Sequence, residues 1–270
     1  MRLVSELRPD WSLSLTCRLY GVPRSGVYRK PHSREESALR EAIVCVAAEW
    51  PRYGSVRICR QLRRDGALFD GRPAGERRVR RIMRETGLRA KAHPRKIRTT
   101  DSAHEFARHP NLVLGLAITR PDQVWVADIT YVALRECFVF LAVIMDVFTR
   151  GVRGWALSRR IDTALALSAL EMALSKGTPV IHHSDQGAQY ASNGYTERLF
   201  ECGVAISMAC AGRPEENGYA ERLMRTIKEE HVSLTEYRNM ADARDQIAHF
   251  IEDVYQKRRI HSSLGYLTPE

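Results

Sequence analysis

The stretch "QVWVADITYV", residues 123–132, decides the fold, because it predicts a buried strand that carries a carboxylate. Side chains along a strand point alternately to its two faces, so Asp128 shares a face with Val124 and Val126. A carboxylate on an apolar face is costly to ionise unless a partner compensates its charge. A metal ion is one such partner. The alternative is a structural aspartate that accepts hydrogen bonds from backbone or hydroxyl groups.

The segments downstream predict a mixed α/β sheet. Apolar runs bounded by turn residues predict strands, and helical periodicity followed by glycine predicts helices. The resulting order is β-β-β-α-β-α-β-α, which is typical of a mixed sheet covered by helices. Besides residues 123–132, the predicted strands are 137–148, 151–159, 179–185 and 204–208, and the predicted helices are 163–177, 195–203 and 216–230.

A second carboxylate, Asp185, ends the predicted strand "PVIHHSD". Sites in open α/β sheets usually lie where strands meet loops, which favours a functional role for this residue. Turn chemistry is the alternative, since "SDQG" is a good turn sequence whatever its function.

A third carboxylate, Glu221, lies on the predicted helix "ENGYAERLMRTIKEE", residues 216–230. On a helical wheel Arg225 and Lys228 fall about 40° and 20° from Glu221, one and two turns further along. A surface salt-bridge ladder would look the same and would contribute only a few tenths of a kcal/mol. An apolar face lies to one side of this stripe and consists of Ala220, Leu223, Met224 and Ile227.

Together the three carboxylates form a pattern that none of them forms alone. They lie in mid-strand, at a strand end and on a later helix, with 35 residues between Asp185 and Glu221. Oxygen ligands of this kind suit hard divalent cations. Two such ions can activate an attacking oxygen and stabilise the leaving oxygen in phosphoryl transfer.

Three other candidate ligands compete with this set. Asp146 ends an apolar run before "VFTRG", which favours a turn-capping role. His182 and His183 are adjacent on a predicted strand and therefore point to opposite faces, so one metal cannot bind both. Packing and hydrogen bonding beside Asp185 is the favoured role for this pair.

The charge of the chain is unevenly distributed. The net charge is +10, but residues 1–110 carry a net of +13 and residues 111–270 a net of −3. A basic part of this size is typical of nucleic-acid contact. Six cysteines lack zinc-knuckle spacing, and no apolar stretch reaches the length of a signal peptide or membrane span. We therefore expect a cytoplasmic protein without a membrane segment.

The clearest basic element is "GERRVRRIMRETGLRAK", a predicted helix that starts near Gly75 and stops near Gly87. Its arginines and its apolar residues occupy separate faces, and acidic residues lie only near its ends. We predict phosphate contact rather than a merely solvated face. The predicted contact residues are Arg77, Arg80, Arg81 and Arg84.

The basic part also indicates a helix-turn-helix unit. The amphipathic segment "EWPRYGSVRICRQLRRDG" precedes the arginine helix, and a turn-rich stretch separates the two. We predict a helical N-terminal segment at 1–45, a helix-turn-helix domain at 46–92, a basic linker at 93–120 and a core with a C-terminal helix at 121–270. After the last predicted helix, Arg259 and His261 are further candidates for phosphate contact, and a solvated tail is the alternative.

The ordered motifs resemble the second-frame protein of insertion-sequence-three-type bacterial transposases, which share the catalytic core of retroviral integrases. The motifs that carry the resemblance are "WVADITYV", "MDVFTRGVRGWAL", "VIHHSDQGAQYAS", "ENGYAERLMRTIKEE" and "RRIHSSLGYLTP", and "RRIMRETGLRAK" resembles part of the family's helix-turn-helix segment. The resemblance implies a ribonuclease-H-like, five-stranded α/β core. It also implies that Asp128, Asp185 and Glu221 are the catalytic, metal-binding triad and that Lys228 contacts the DNA end. With this context, we expect Arg225 and Lys228 to neutralise phosphates of the same DNA.

The resemblance further implies the reaction and the partners. The expected activity is cleavage and strand transfer at the ends of a mobile element, with two Mg²⁺ ions for which Mn²⁺ substitutes. The expected partners are the terminal inverted repeats, the target DNA, an upstream-frame protein and further copies of this chain on the bacterial nucleoid. Two rival interpretations stay open at this point: a nuclease that only cuts, and a DNA-binding regulator without activity.

Overall fold

A computed structural model describes residues 12–21, 23–24, 36–69, 71–90, 106–135, 137–210 and 212–270. The basic run 93–98, part of the predicted linker, lies outside these residues, as does much of the predicted segment 1–45. Among the described residues, no helix combines the length and the apolar character that crossing a bilayer needs.

The basic part of the chain is a small helical unit. Apolar residues of α2, α3 and α4 pack into one core with Trp50 and Tyr53, so α2 runs across the boundary predicted between residues 45 and 46. A short antiparallel ladder connects α3 to α4, where the sequence indicated only a turn-rich stretch. The elements are α1 (Leu13–Leu19), α2 (Glu36–Glu49), α3 (Ser55–Arg64), β1 (Leu68–Phe69), β2 (Arg72–Pro73) and α4 (Glu76–Glu85).

The rest of the chain is a mixed five-stranded sheet with helices on both faces, as predicted. The strand order is β5-β4-β3-β6-β7, in which β3, β4 and β5 are antiparallel and β3, β6 and β7 are parallel. The elements are β3 (Val124–Ala133), β4 (Phe138–Asp146), β5 (Val152–Ser158), α5 (Thr163–Leu174), β6 (Ile181–Ser184), α6 (Ala188–Ala191), α7 (Asn193–Glu201), β7 (Ala205–Met208), α8 (Gly218–Glu230) and α9 (Met240–His249), which continues as a π-helical segment at Phe250–Tyr255.

Alternation along β3 divides the core of the sheet in two. Val124 and Val126 face the layer of α8, α9 and the π-helical segment. Trp125 and Ala127 face the opposite layer of α5, α6 and α7. Asp128 therefore points to the side of the sheet that α8 covers, on the face that the sequence predicted.

One glycine permits the close approach of α5 to the sheet. A Cβ atom built on Gly154 in β5 would lie 2.1 Å from the carbonyl oxygen of Ala169 and 2.6 Å from the backbone nitrogen of Ala173. Both neighbours are helix backbone, which cannot yield as a flexible side chain would.

Gly154→Ala is therefore expected to lower the free energy of unfolding by about 3 kcal/mol, at the upper end of overpacking costs. Urea unfolding followed by circular dichroism measures this loss. Gly194→Ala is the matched control, because a Cβ there meets nothing within 4 Å. Equal stabilities of the two variants would show that α5 shifts without cost.

The helical unit packs against the C-terminal end of the core. The Arg52 side chain donates to the backbone oxygen of Glu229 at 3.0 Å. The backbone N–H of Ile260 donates to the Tyr53 hydroxyl at 3.3 Å, and the Ile260 side chain is buried in the core of the helical unit. The segment after the π-helix thus belongs to both units and holds them together.

Candidate active site

Asp128 lies on β3, and Asp185 directly follows β6, the neighbouring parallel strand, at the same level. The last paired residues of β3 and β6 are Val126 and His183, and each carboxylate lies two residues beyond its paired residue. The Asp128 carboxylate accepts a hydrogen bond from the N–H of Ile129 at 2.8 Å, and that of Asp185 accepts from the N–H of Gly187 at 3.0 Å. Strand pairing therefore brings two carboxylates together that are far apart in sequence.

A buried asparagine sets the start of the Glu221 helix beside this pair. The Asn217 side-chain amide donates to the backbone oxygen of Ala127, the residue before Asp128, at 3.1 Å. Asn217 precedes α8, so Glu221 enters the site from the first turn of that helix. Sequence reasoning missed this positioning residue, because "EENG" carries no signal beyond that of a helix start.

The three carboxylates share one electrostatic environment. The pKa of Asp128 is raised to about 7, first by withdrawal from water and then by the negative charge of Asp185, with a smaller contribution from Glu221. The N–H of Ile129 and the charge of Lys228 oppose this rise. The structure therefore brings together the three residues that the sequence singled out, with Lys228 beside them.

Lys228 lies on the same face of α8 as Glu221. Its ammonium group is 3.9 Å from the centre of the Tyr131 ring, and Tyr131 lies on β3, three residues after Asp128. A cation over an aromatic face is stabilised and held in position. This placement puts a positive charge at the edge of the carboxylate group.

The carboxylates suit a divalent cation by their chemistry. Three acids near each other raise the free energy of the ionised state, and a cation with oxygen ligands relieves that repulsion. Among the described residues, however, no three His, Cys, Asp or Glu side chains converge closely enough to form a ready metal site.

Asp146 has a structural role, as predicted. Its side chain is fully buried. Its carboxylate accepts hydrogen bonds from the N–H of Asp122 at 3.1 Å, the N–H of Thr149 at 2.9 Å and the Thr149 hydroxyl at 2.7 Å. These bonds close the turn between β4 and β5.

The adjacent histidines also follow the prediction. His182 contacts the Tyr195 hydroxyl at 2.9 Å on one side of the sheet. On the other side, His183 contacts the Ser207 hydroxyl at 2.8 Å and the backbone oxygen of Glu216 at 3.2 Å. Burial lowers the pKa of His182 to about 3 and that of His183 below its ordinary value. Both rings are therefore buried groups that pack and hydrogen-bond within the fold.

A cleft of about 700 Å³ runs along α8 from Glu221 towards the helical unit, and we call it the α8 cleft. Arg225 lines this cleft and is exposed. Its side chain is therefore accessible to DNA, and the predicted contact stays a prediction. Most of the lining comes from α8, from residues 111–115 and from the C-terminal segment. Its positively charged lining residues are Arg57, Arg150, Arg222, Arg225 and Arg259.

Arg259 and His261, which are also predicted phosphate contacts, line this cleft and are buried. The Arg259 guanidinium donates to both carboxylate oxygens of Glu230, at 2.6 and 2.7 Å. His261 packs against the Tyr255 ring. Its pKa is lowered to about 3, first by burial and then by the charges of Arg259, Arg57 and Arg150. Both side chains thus make their contacts within the fold, and neither is assigned a DNA contact in the function proposed below.

The neutral state of His261 predicts loss of stability in acid. Since its pKa is about 3 in the folded chain and about 6.5 in the unfolded chain, the unfolded state binds more protons between these values. The contribution of neutral His261 to the free energy of unfolding is therefore complete above about pH 6.5. Below that pH it falls by up to about 1.4 kcal/mol per pH unit. Urea unfolding at about pH 7 and about pH 5 should show a smaller difference for His261→Gln than for the parent chain. Identical differences would mean that His261 already titrates normally.

The four arginines predicted on the basic helix are exposed on α4, but two of them have partners. Arg80 pairs with Glu76 at 2.5 Å, and Arg81 pairs with Glu85 at 2.8 Å. Arg81 also pairs with Glu36 of α2, a counter-charge that local sequence did not indicate. Within the described part of the chain, Arg77 and Arg84 have no acidic partner.

Comparison with known families gives three matches. The family described as "Integrase core domain" matches residues 118–214, and a second family with that description matches residues 202–269. A family described as "HTH-like domain" matches residues 33–96. The first two ranges contain the three carboxylates, and the third contains the arginine helix.

Several relatives match almost the whole chain. A 31 kDa protein of insertion element IS600 from Shigella sonnei is 35% identical over 94% of this chain and 95% of the relative. The transposase of IS904 from Lactococcus lactis is 33% identical over 90% and 97%. Transposase InsF of IS3A from Escherichia coli is 31% identical over 99% and 96%. Among solved structures, the HTLV-2 integrase catalytic core is 18% identical with a TM-score of 0.43, covering 55% of this chain and 94% of that one.

Proposed function

Since the chain belongs to the integrase-core transposases of bacterial insertion sequences, we propose that it cuts and joins phosphodiester bonds at the ends of a mobile DNA element. The observation that supports this proposal is that Asp128 and Asp185 lie at the same level of neighbouring parallel strands and that the charge of Glu221 acts on Asp128. The integrase core agrees with a polynucleotidyl transferase that depends on divalent metal. The finer assignment, two Mg²⁺ ions held by these three carboxylates, is part of the proposal.

Each residue has a role in the proposed reaction. When bound, the two ions would supply activation of the attacking oxygen and stabilisation of the leaving oxygen, and Mn²⁺ would substitute. Asp128, Asp185 and Glu221 would hold them, and Asn217 fixes the start of the helix that carries Glu221. Lys228 and Arg225 neutralise phosphates of the DNA end. In cleavage, water attacks phosphorus and displaces the 3′-oxygen of the strand, which leaves as a 3′-hydroxyl. In joining, that 3′-hydroxyl attacks a phosphorus of the target DNA and displaces a 3′-oxygen there, so the nucleophile is never a protein group.

The joining assay tests this proposal against its nearest rival. Purified protein is incubated with Mg²⁺, a target plasmid and short duplexes that end in the element's terminal repeat, some of them pre-cut to expose the 3′-hydroxyl. A transposase joins the pre-cut ends to the plasmid, whereas a nuclease only shortens DNA. Binding without either product would support a DNA-binding regulator.

The proposed setting requires more than one protein chain. Joining two ends of an element needs them to be held together, so we propose a multimer of this chain on DNA. An upstream-frame protein, separate or fused, is proposed to contribute further DNA contacts. The site of action would be the bacterial nucleoid.

The arginine helix predicts a specific salt dependence of DNA affinity. Arg77→Ala with Arg84→Ala should lower the slope of log affinity against log salt by about two units, because each lost phosphate contact releases about one counterion less. Arg80→Ala with Arg81→Ala is the matched control and should change the slope less, since Glu76, Glu85 and Glu36 already neutralise these two side chains. Fluorescence anisotropy over a series of salt concentrations measures both slopes. If the first pair leaves the slope unchanged, α4 is only a solvated face.

A further inference from the structure

The α8 cleft contains a stacked arginine–tyrosine pair that the proposed chemistry does not use. The guanidinium carbon of Arg150 lies 4.5 Å from the centre of the Tyr219 ring. Both residues line the cleft. The ring is 41% exposed, although it belongs to the first turn of α8 beside the catalytic carboxylates. An exposed aromatic ring with a cation on one face is a stacking surface for a flat ligand.

Arg150 has a strained backbone and a buried donor without a partner in the described chain. Its φ angle is 62°, in the left-handed region that residues with a side chain rarely adopt. Its backbone oxygen accepts a hydrogen bond from the buried Tyr255 hydroxyl at 3.0 Å. Its Nε atom is buried and has no hydrogen-bond partner within the described chain. Strain and an unpaired donor at one residue are typical of a binding site rather than of simple packing.

The charge around the pair favours an anionic ligand. Five arginines line the α8 cleft, against three glutamates, which are Glu215, Glu216 and Glu221. The buried acid of the cleft wall, Glu216, accepts hydrogen bonds from the N–H of Cys210 and the Asn111 side chain, and its pKa is lowered to about 2 by these bonds. The lining of the cleft therefore carries two more arginines than glutamates.

We propose that Arg150 and Tyr219 bind an unpaired nucleotide at the DNA end, an inference that rests on DNA being the substrate. The base stacks on the Tyr219 ring, and its phosphates contact Arg150 and Arg222. A nucleotide meets both requirements, a flat apolar face and a negative charge, and the cleft has the volume of a small-ligand site. The base must be unpaired, because bases inside a duplex already stack on their neighbours. Since Glu221 lines the same cleft, the site would hold the strand end next to the reacting phosphate.

The test measures DNA binding by fluorescence anisotropy in EDTA, so that no turnover occurs. The probes share one duplex and differ at its end. The first kind has a blunt end, the second has a three-nucleotide single-stranded extension, placed on one strand or on the other, and the third has the same extension without bases. The parent chain should bind the extended probe about tenfold more tightly than the blunt one, the gain expected for one stacked base. The abasic extension should lose most of this gain, because its phosphates remain but the stacking does not.

The variants separate this site from general DNA binding. Tyr219→Phe should keep the gain, and Tyr219→Leu and Arg150→Gln should abolish it. Arg60→Gln is the matched control and should keep it, since Arg60 also covers a tyrosine ring, that of Tyr266 at 4.8 Å, but lies outside the cleft. Equal affinity of the parent for blunt and extended DNA, or a full gain in Tyr219→Leu, overturns the inference and leaves the proposed function intact. Absence of any DNA binding overturns both.

Discussion

Asp128→Asn, Asp185→Asn and Glu221→Gln are each expected to abolish cleavage and joining, lowering both rates by more than about a thousandfold. An amide keeps the shape of the side chain but removes the charge that a divalent cation needs. The losses should not add when two of these substitutions are combined, because a site that lacks one ligand already fails as a unit. The joining assay with pre-cut ends measures the effect.

Binding to DNA separates loss of chemistry from loss of structure. All three variants should keep the affinity of the parent chain, because the arginine helix and the α8 cleft keep their cations. Replacing Mg²⁺ with Mn²⁺ should support both reactions in the parent chain. Ca²⁺ should bind without turnover, since its looser coordination positions the reacting oxygens poorly.

Asp146→Asn is the control for the first carboxylate. Asn keeps an acceptor for the two bonds from Thr149 and loses only the bond from the N–H of Asp122, so the turn should persist and the folded protein should stay active. The assignment would be reversed if a folded Asp146→Asn protein were inactive while Asp128→Asn cut DNA normally.

Glu230→Gln is expected to produce the largest loss of stability, about 3–5 kcal/mol of unfolding free energy. Glu230 is the bidentate partner of Arg259, whose side chain is only 4% exposed, and it lies 3.7 Å from Arg57 of the helical unit. Without its charge, a buried guanidinium loses its compensation. Urea unfolding monitored by circular dichroism and by tryptophan fluorescence measures the loss.

A neighbouring ion pair supplies the matched control. Arg258 pairs with Glu49 across the same boundary between the two units, but both side chains are about half exposed. Glu49→Gln should therefore cost less than about 1 kcal/mol. The double variant Glu230→Leu with Arg259→Met should lose less than the single Glu230→Gln variant, because it removes the buried charges together. A loss for Glu230→Gln no larger than for Glu49→Gln would show that water reaches Arg259.

The sequence by itself determined the five strands of the core, its longer helices and the faces of β3 and α8, but not the short helix α6. Alternation along residues 123–132 placed Asp128 on the side of Val124 and Val126, and the helical wheel of α8 separated Glu221 and Lys228 from the apolar residues. Both patterns are local, because backbone geometry repeats every two residues in a strand and every 3.6 in a helix. The local turn signal likewise identified Asp146 as the residue that closes a turn.

Only the tertiary structure decided which faces meet. Asn217 bonds to Ala127, 90 residues away, and thereby brings Glu221 to Asp128. The sequence predicted Arg259 as a surface contact, whereas Glu230 holds it inside the fold. Glu36 supplies Arg81 with a counter-charge from another helix, 45 residues away. Periodicity reports the face on which a side chain lies but carries no information on the distant group packed against that face, so such pairings arise only when the chain folds.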